Sequence, residues 1–172
     1  MTQERAGVAT AKGYPITLVG PELRVGDTAP NFKINQDLLK EASLSDYEGK
    51  IKLISVVPSL DTPVCDSQTR RFNEEASQLG NDVIFITISV DLPFAQSRFC
   101  STAGIDRMIT LTDYKHRSFG EAYGVLIKEL QLELRAIFIL DANNTIRYVE
   151  YLKEMTDHPD YEAAISALRE LI

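Results

Sequence analysis

The sequence has only two cysteines, Cys65 and Cys100, and no apolar stretch that approaches the ~20 residues of a membrane span. It also has no run rich in lysine or arginine, and its formal net charge is −7. Because a phosphate-binding surface needs clustered positive charge, no nucleic-acid partner is expected. Residues 1–15 lack the apolar segment of a secretory signal. We therefore expect a cytoplasmic protein with no membrane partner, in a compartment where thiols are normally kept reduced.

The length and composition are those of one ordinary globular domain. The chain has 172 residues, 44% of them hydrophobic and 25% charged, and no repeat or linker divides it. This length is sufficient for a real hydrophobic core. We expect a single domain over residues 1–172, of which about residues 1–12 form a mobile segment because they are polar and small.

Apolar runs and helical patterns alternate along the chain. Buried strands are predicted at 52–57, 82–90 and 108–113, with two more in 134–152 joined through 141–144. Helices are predicted at 67–79, 93–104, 115–124 and 161–172. Near the N-terminus, "YPITLVG" and "LRVGDTA" flank Pro21 and predict a small β-hairpin, and residues 29–50 predict one short strand among loops.

This order of elements predicts an α/β protein. Strand–helix–strand units favour parallel pairing, and the late hairpin favours an antiparallel edge. The arrangement is consistent with a thioredoxin-like fold, in which helices flank a central mixed β-sheet, here with an N-terminal β-hairpin.

The segment "SLDTPVC" (59–65) places a cysteine directly after a buried strand. If a helix starts just after Pro63, Cys65 lies in its first turn, where free N–H groups and the helix dipole favour a thiolate. Thr62 could turn its hydroxyl toward the sulfur or hold a substrate oxygen beside it, and Pro58 would help to screen the loop from water. A half-buried, unreactive cysteine at a strand end is equally consistent with this spacing.

Three segments also carry a family resemblance. "SVVPSLDTPVCDSQTRRFNEEA" (55–76) resembles the signature of the peroxiredoxins, in particular the thiol peroxidase branch with its P-x-x-x-T-x-x-C core. The core falls on Pro58, Thr62 and Cys65. "SVDLPFAQSRFC" (89–100) resembles the segment that holds the second, resolving cysteine of that branch, here Cys100.

The third segment, "LRAIFILDANNTI" (134–146), resembles the strand that brings in the active-site arginine of the family, here Arg135. The resemblance implies that the Cys65 thiolate attacks a peroxide oxygen and becomes a sulfenic acid. Arg135 would stabilise the charge that develops, Thr62 would bridge sulfur and peroxide, and Pro58 would shield the sulfur.

The resemblance further implies an atypical two-cysteine enzyme, in which Cys100 condenses with the sulfenic acid to form a Cys65–Cys100 disulfide. Because both cysteines are predicted near helices, we expect local unwinding when this bond forms. The expected substrates are hydrogen peroxide and organic hydroperoxides, and the expected reductant is thioredoxin. No cofactor and no metal are needed, and a homodimer is implied.

Other readings of the same residues compete with this one. Cys65, Cys100, His116 and His158 would form a metal site only if they converged, and their spacings are not those of zinc sites. A cysteine hydrolase would need one of the histidines beside Cys65. A thioredoxin-like oxidoreductase would carry C-x-x-C, but position 62 is threonine.

Three further alternatives need no catalysis at all. A disulfide that closes residues 65–100 could brace a binding module and would contribute roughly 3.8 kcal/mol in the chain-entropy model. Cys100 could simply pack in the core beside Phe94 and Phe99. Arg135 could be an exposed charge at the end of a strand, as most arginines are.

Overall fold

The computed structural model describes residues 2–172. Its strands, numbered in chain order, are β1 (Glu4–Ala11), β2 (Tyr14–Val19), β3 (Lys33–Asn35), β4 (Glu41–Ser43), β5 (Ile51–Val56), β6 (Val83–Ser89), β7 (Met108–Thr112), β8 (Leu126–Ile127), β9 (Ala136–Leu140) and β10 (Ile146–Tyr151). Its α-helices are α1 (Pro63–Gln78), α2 (Pro93–Ala103), α3 (Ser118–Ala122) and α4 (Tyr161–Arg169), and a 3-10 helix covers Leu44–Tyr47.

The strands form a large mixed sheet and a small antiparallel one. The large sheet has the strand order β10-β9-β5-β6-β7-β3-β4, and the small sheet has the order β1-β2-β8. β5, β6 and β7 are parallel, whereas β9 is antiparallel to β5 and β10 to β9. The predicted mixed sheet, with parallel inner pairs and an antiparallel edge, is therefore confirmed.

Both faces of the central strands are buried, which explains their continuous apolar runs. Leu53, Phe85 and Ile137 point to one face, where they pack with apolar side chains of α1 and α4. The neighbouring residues along each strand point to the other face, where they pack with α3 and the small sheet; they are Ile54, Ile86 and Phe138. The alternation of side chains along each strand thus supplies both halves of the core.

The predicted helices are present with different ends. α1 begins four residues earlier than the predicted residue 67, and α2 and α4 lie within their predicted ranges. The predicted helix at 115–124 is reduced to α3, because Arg117 has the left-handed φ of 54° and cannot continue the helix backwards. No helix within residues 2–172 is long and apolar enough to cross a membrane.

The N-terminal hairpin is present, but its strands are not the predicted pair. β2 pairs with β1 instead of with residues 23–29, and the turn between them is Lys12-Gly13. Both turn residues have positive φ, 49° and 81°, as two-residue hairpin turns of this type require. Residues 4–11, expected to belong to a mobile segment, are therefore part of a sheet. A second difference lies in residues 29–50, where β3 and β4 pair in place of the single predicted strand.

The end of β1 and the turn of this hairpin are hydrogen-bonded to the segment that follows β10. The N–H of Thr10 donates to Lys153 O at 2.8 Å, and the N–H of Met155 donates to Thr10 O at 2.8 Å. The carboxylate of Glu154 accepts from the N–H of Gly13 at 2.8 Å. These bonds hold residues 153–155 in place against the start of the chain.

Two acidic side chains are buried together beside α3. Asp113 and Glu133 are 1% and 0% exposed, and Asp113 accepts hydrogen bonds from the N–H groups of Phe119 and Gly120. Neither carboxylate oxygen of Glu133 accepts a hydrogen bond from a donor within residues 2–172. Burial, and then the charge of Asp113, raise the pKa of Glu133 well above its usual range, and Arg117 offsets this only in part. The arrangement favours a proton held between the two carboxyl groups.

This pair predicts a specific dependence of stability on pH. A carboxyl group whose pKa is higher in the folded than in the unfolded chain stabilises the fold at low pH. That stability is lost as pH rises from the unfolded pKa toward the folded one. Glu133→Gln has no such titrating group. As pH rises from about 5 to about 8, the free energy of unfolding of this variant should therefore fall less than that of the natural chain.

Urea denaturation at the two pH values measures this difference. Glu74→Gln, at an exposed position of α1, is the matched control and should follow the natural chain. An identical pH dependence in the natural chain and in Glu133→Gln would contradict the assignment.

Candidate active site

Cys65 is the third residue of α1 and lies in its first turn, as the sequence predicts if the helix starts just after Pro63. Thr62 is the N-cap with an extended backbone, φ −101° and ψ 148°, and Pro63 is the first helical residue. This start follows a short loop after β5. The free N–H groups and the positive end of the helix dipole therefore point toward the sulfur region and favour a negative charge there.

The sulfur of Cys65 is surrounded by apolar side chains and contacts one cation. Cys65 is 0% exposed and packs with Val57, Leu60 and Phe99. In addition, Nη2 of Arg135 donates to Sγ at 3.3 Å. The apolar side chains exclude water, and the guanidinium supplies the charge that a buried thiolate needs.

Arg135 is buried, so the alternative that it is an exposed charge at a strand end is wrong. It is 2% exposed, and its donors reach the sulfur, Oε1 of Gln68 at 2.9 Å and the carbonyl of Met155 at 3.2 Å. These partners are two neutral oxygens and a sulfur, so the sulfur is the one partner that can balance the charge of the guanidinium. Because a buried charge is costly when it is uncompensated, the contact favours the thiolate of Cys65.

The register of the large sheet produces this contact. Val56, the last residue of β5, pairs with Ala136, the first residue of β9. The loop that leads to Cys65 follows Val56, and Arg135 directly precedes Ala136. Two positions that lie 70 residues apart in sequence are thus brought to the same edge of the sheet.

Gln68 is a further site residue that the sequence did not reveal. It is 0% exposed, lies one helical turn after Cys65, and donates from Nε2 to Ser55 Oγ at 2.7 Å while its Oε1 accepts from Arg135. Its role is to orient the guanidinium. The available signal was its spacing of three residues from Cys65, which places both side chains on one face of a helix.

Thr62, Pro58 and Arg135 line a pocket at the start of α1, whereas the buried Cys65 is not among its lining residues. The pocket has a volume of about 230 Å³ and is lined by Lys12, Pro58, Thr62, Pro63, Val64, Arg135, Met155 and Thr156. The hydroxyl of Thr62 donates to Ser59 O at 3.2 Å and not to Sγ, which was one of the two alternatives for this hydroxyl. It therefore has to rotate before it can contact a molecule bound next to the sulfur.

Cys100 lies on α2 in a different environment. It is half-buried, and its Sγ faces Oγ1 of Thr110 at 3.9 Å, and burial raises the pKa of its thiol. Both cysteines are free thiols. The alternative that Cys100 packs in the core beside Phe94 and Phe99 is wrong, because Phe94 is 65% exposed and Phe99 packs against Cys65.

The two histidines have hydrogen-bond partners other than the cysteines. Nε2 of His116 lies 3.0 Å from Oε1 of Glu41, and Nδ1 of His158 lies 2.7 Å from the hydroxyl of Tyr161. Within residues 2–172, no group of three or more His, Cys, Asp or Glu side chains is arranged to hold a metal ion. The geometry supports neither the zinc-site nor the cysteine–histidine hypothesis.

Comparisons with known proteins agree with this geometry. A family model described as "Redoxin" matches residues 24–165. The chain is 56% identical over 163 residues to a thiol peroxidase of Bacillus subtilis, and the aligned region covers 95% of this chain and 97% of the relative. Among solved structures, a peroxiredoxin-like protein of Aquifex aeolicus is similar with a TM-score of 0.89 and 39% identity, covering 97% of this chain and 98% of that one. A thiol peroxidase of Chromobacterium violaceum follows with a TM-score of 0.82 and 26% identity, covering 94% and 95% of the two chains.

The contact between Arg135 and the sulfur predicts the effect of removing the guanidinium. Arg135→Ala, made together with Cys100→Ser, should lower the thiolate fraction of Cys65 at neutral pH. It should also slow the reaction with peroxide by about 10²-fold, because a donor to the developing charge is lost. The rate of alkylation of Cys65 by iodoacetamide as a function of pH measures the thiolate fraction.

Arg147→Ala is the matched control, since Arg147 is an exposed arginine whose ion pair is with Asp141 at 3.2 Å. It should leave both rates unchanged. If Arg135→Ala gave the same alkylation profile as the natural chain, Arg135 would not stabilise the thiolate.

Proposed function

The chain belongs to the redoxin family, in the thiol peroxidase branch of the peroxiredoxins, and we propose that Cys65 is the residue with which it reduces hydroperoxides. Its activity is that of a thiol-dependent peroxidase. The observation that carries the assignment is the 3.3 Å contact between the Arg135 guanidinium and the buried sulfur at the start of α1. That contact favours the anionic form of sulfur, which is the nucleophile.

In the first step, the Cys65 thiolate attacks one oxygen of the hydroperoxide. The O–O bond breaks, the sulfur becomes a sulfenic acid, and the other oxygen leaves as water or an alcohol after it takes up a proton. Negative charge shifts onto the leaving oxygen, and Arg135 lies close enough to stabilise it. The Thr62 hydroxyl, once released from Ser59 O, can donate to a peroxide oxygen in the same pocket.

In the second step, the thiol of Cys100 attacks the sulfenic sulfur, a disulfide forms, and water leaves. The two sulfurs face different neighbours in the reduced protein, Arg135 and Thr110 respectively. A disulfide requires the two sulfurs to bond to each other, so at least one of them has to leave its present neighbours. We propose that this movement occurs by local unwinding at the start of α1 or in α2.

In the third step, a thioredoxin dithiol reduces the disulfide and is itself oxidised, which returns both cysteines to thiols. The substrates we propose are hydrogen peroxide and organic hydroperoxides. We further propose a homodimer of single-domain chains in the cytoplasm, with no cofactor in the peroxidase itself. Met155 accepts from Arg135, and residues 153–155 are in turn hydrogen-bonded to Thr10, so a segment near each end of the chain supports the site.

The two cysteines should separate into different kinetic roles. Cys65→Ser should abolish peroxide turnover, because the nucleophile is lost. Cys100→Ser should allow one rapid round of oxidation but no cycling with thioredoxin, because the sulfenic acid has no resolving thiol. Stopped-flow kinetics with peroxide, followed by a coupled thioredoxin assay, distinguish these results.

Mass spectrometry after one equivalent of peroxide tests the chemistry directly. The natural chain should lose two hydrogen atoms, and peptide mapping should place them in a Cys65–Cys100 bridge. Full peroxidase activity in Cys65→Ser would refute the mechanism.

A further inference from the structure

The carboxylate of Asp91 connects the two segments that carry the cysteines. Asp91 lies between β6 and α2 and is half-buried. Its Oδ1 accepts from the hydroxyl of Ser59 at 2.7 Å, and its Oδ2 accepts from the N–H of Leu60 at 2.8 Å and the hydroxyl of Ser89 at 2.7 Å. Hydrogen bonds to an ionised group are stronger than neutral ones.

On one side, these bonds hold the turn that precedes Cys65. The carbonyl of Ser59 accepts from both the hydroxyl and the N–H of Thr62, at 3.2 and 3.3 Å. Thr62 is the N-cap of α1, and Cys65 follows three residues later. Asp91 therefore positions the turn from which the reactive cysteine is presented.

On the other side, the bonds continue to α2. The hydroxyl oxygen of Ser89 accepts from Nε2 of Gln96 at 3.1 Å, and the same amide donates to Leu111 O at 2.8 Å. Gln96 is 2% exposed and lies four residues before Cys100, on the same face of the helix. The set formed by Ser59, Leu60, Ser89, Asp91 and Gln96, called here the Asp91 network, thus links the surroundings of both cysteines.

Other polar links between these segments are weaker. Arg98 on α2 and Asp61 in the turn form an ion pair at 4.0 Å, with side chains that are 73% and 70% exposed. Exposed pairs of this kind contribute little. The side chain of Arg70 reaches Ala103 O at 3.2 Å at the far end of α2, but it too is exposed. The Asp91 network is therefore the main polar connection between the turn before Cys65 and the first half of α2.

We propose that Asp91 is a positioning residue that holds the reduced arrangement and thereby limits the rate at which the Cys65–Cys100 disulfide forms. The inference rests on the proposed function, in which the sulfur of Cys65 must leave the apolar side chains around it before it can bond to Cys100. Separation of the turn from α2 breaks the bonds to Asp91. While they remain intact, the sulfenic acid stays beside the pocket, where a second peroxide can oxidise it to a sulfinic acid with release of water or an alcohol.

The substitution Asp91→Asn tests this role. It removes the charge and places an NH₂ donor where an oxygen accepted hydrogen bonds. Disulfide formation should become about tenfold faster, and the first oxidation of Cys65 should not become faster. The yield of sulfinic acid at high peroxide, in cycling with thioredoxin, should fall. Two-phase stopped-flow kinetics and mass spectrometry measure these quantities.

Ser59→Ala removes one bond to the same carboxylate and should give a smaller acceleration of the same step. Because both changes act on one network, Asp91→Asn with Ser59→Ala should be no faster than Asp91→Asn alone. The control is Asp106→Asn, an exposed carboxylate between α2 and β7, which should match the natural chain. General loss of folded protein would not accelerate one step and leave the other.

The outcomes separate this inference from the proposed function. If the natural chain forms the Cys65–Cys100 bridge but Asp91→Asn and Ser59→Ala form it no faster, the inference is wrong and the proposed function stands. Equal acceleration in Asp106→Asn, or additive effects in the double variant, would also overturn it. If the natural chain forms no such bridge, the two-cysteine mechanism fails, and the inference fails with it.

Discussion

The guanidinium of Arg135 is buried against a sulfur and two neutral oxygens, and the local structure follows from the need to balance its charge. Leaving such a charge uncompensated in the interior costs several kcal/mol. A negative charge on Cys65 removes much of that cost, and the helix N-terminus acts in the same direction. Nucleophile and cation therefore stabilise each other, and the apolar residues around them keep water from weakening the interaction.

Much of the framework was predictable because it depends on local patterns. Continuous apolar runs indicated β5, β6 and β7, and proline at the start and glycine at the end located α2. The first-turn position of Cys65 was predicted only on the condition that the helix starts just after Pro63, four residues before the start that the helical pattern indicated. The assignment of Arg135 had a different origin, since only the family resemblance distinguished it from any other arginine near a strand.

The parts that could not be predicted depend on contacts between distant segments. Gln68 and Met155 acquire their roles only when β5 and β9 pair and residues 153–155 lie beside them. The partner of β2 was wrongly predicted because Lys12-Gly13 is a weaker turn signal than the proline at position 21. The structure shows the positive φ of Lys12, which the amino-acid sequence does not indicate.

The carbonyl of Met155, which accepts from Arg135, belongs to a stretch that is hydrogen-bonded to Thr10 through its backbone and to Gly13 through the carboxylate of Glu154. The start of the chain, which looked the most dispensable part of the sequence, is thus linked by hydrogen bonds, through residues 153–155, to the guanidinium of Arg135. A displacement of the β1–β2 hairpin would shift the carbonyl of Met155 and, with it, the guanidinium that contacts the sulfur. We therefore expect a fusion or tag at the N-terminus to change the rate of turnover and not only the solubility of the protein.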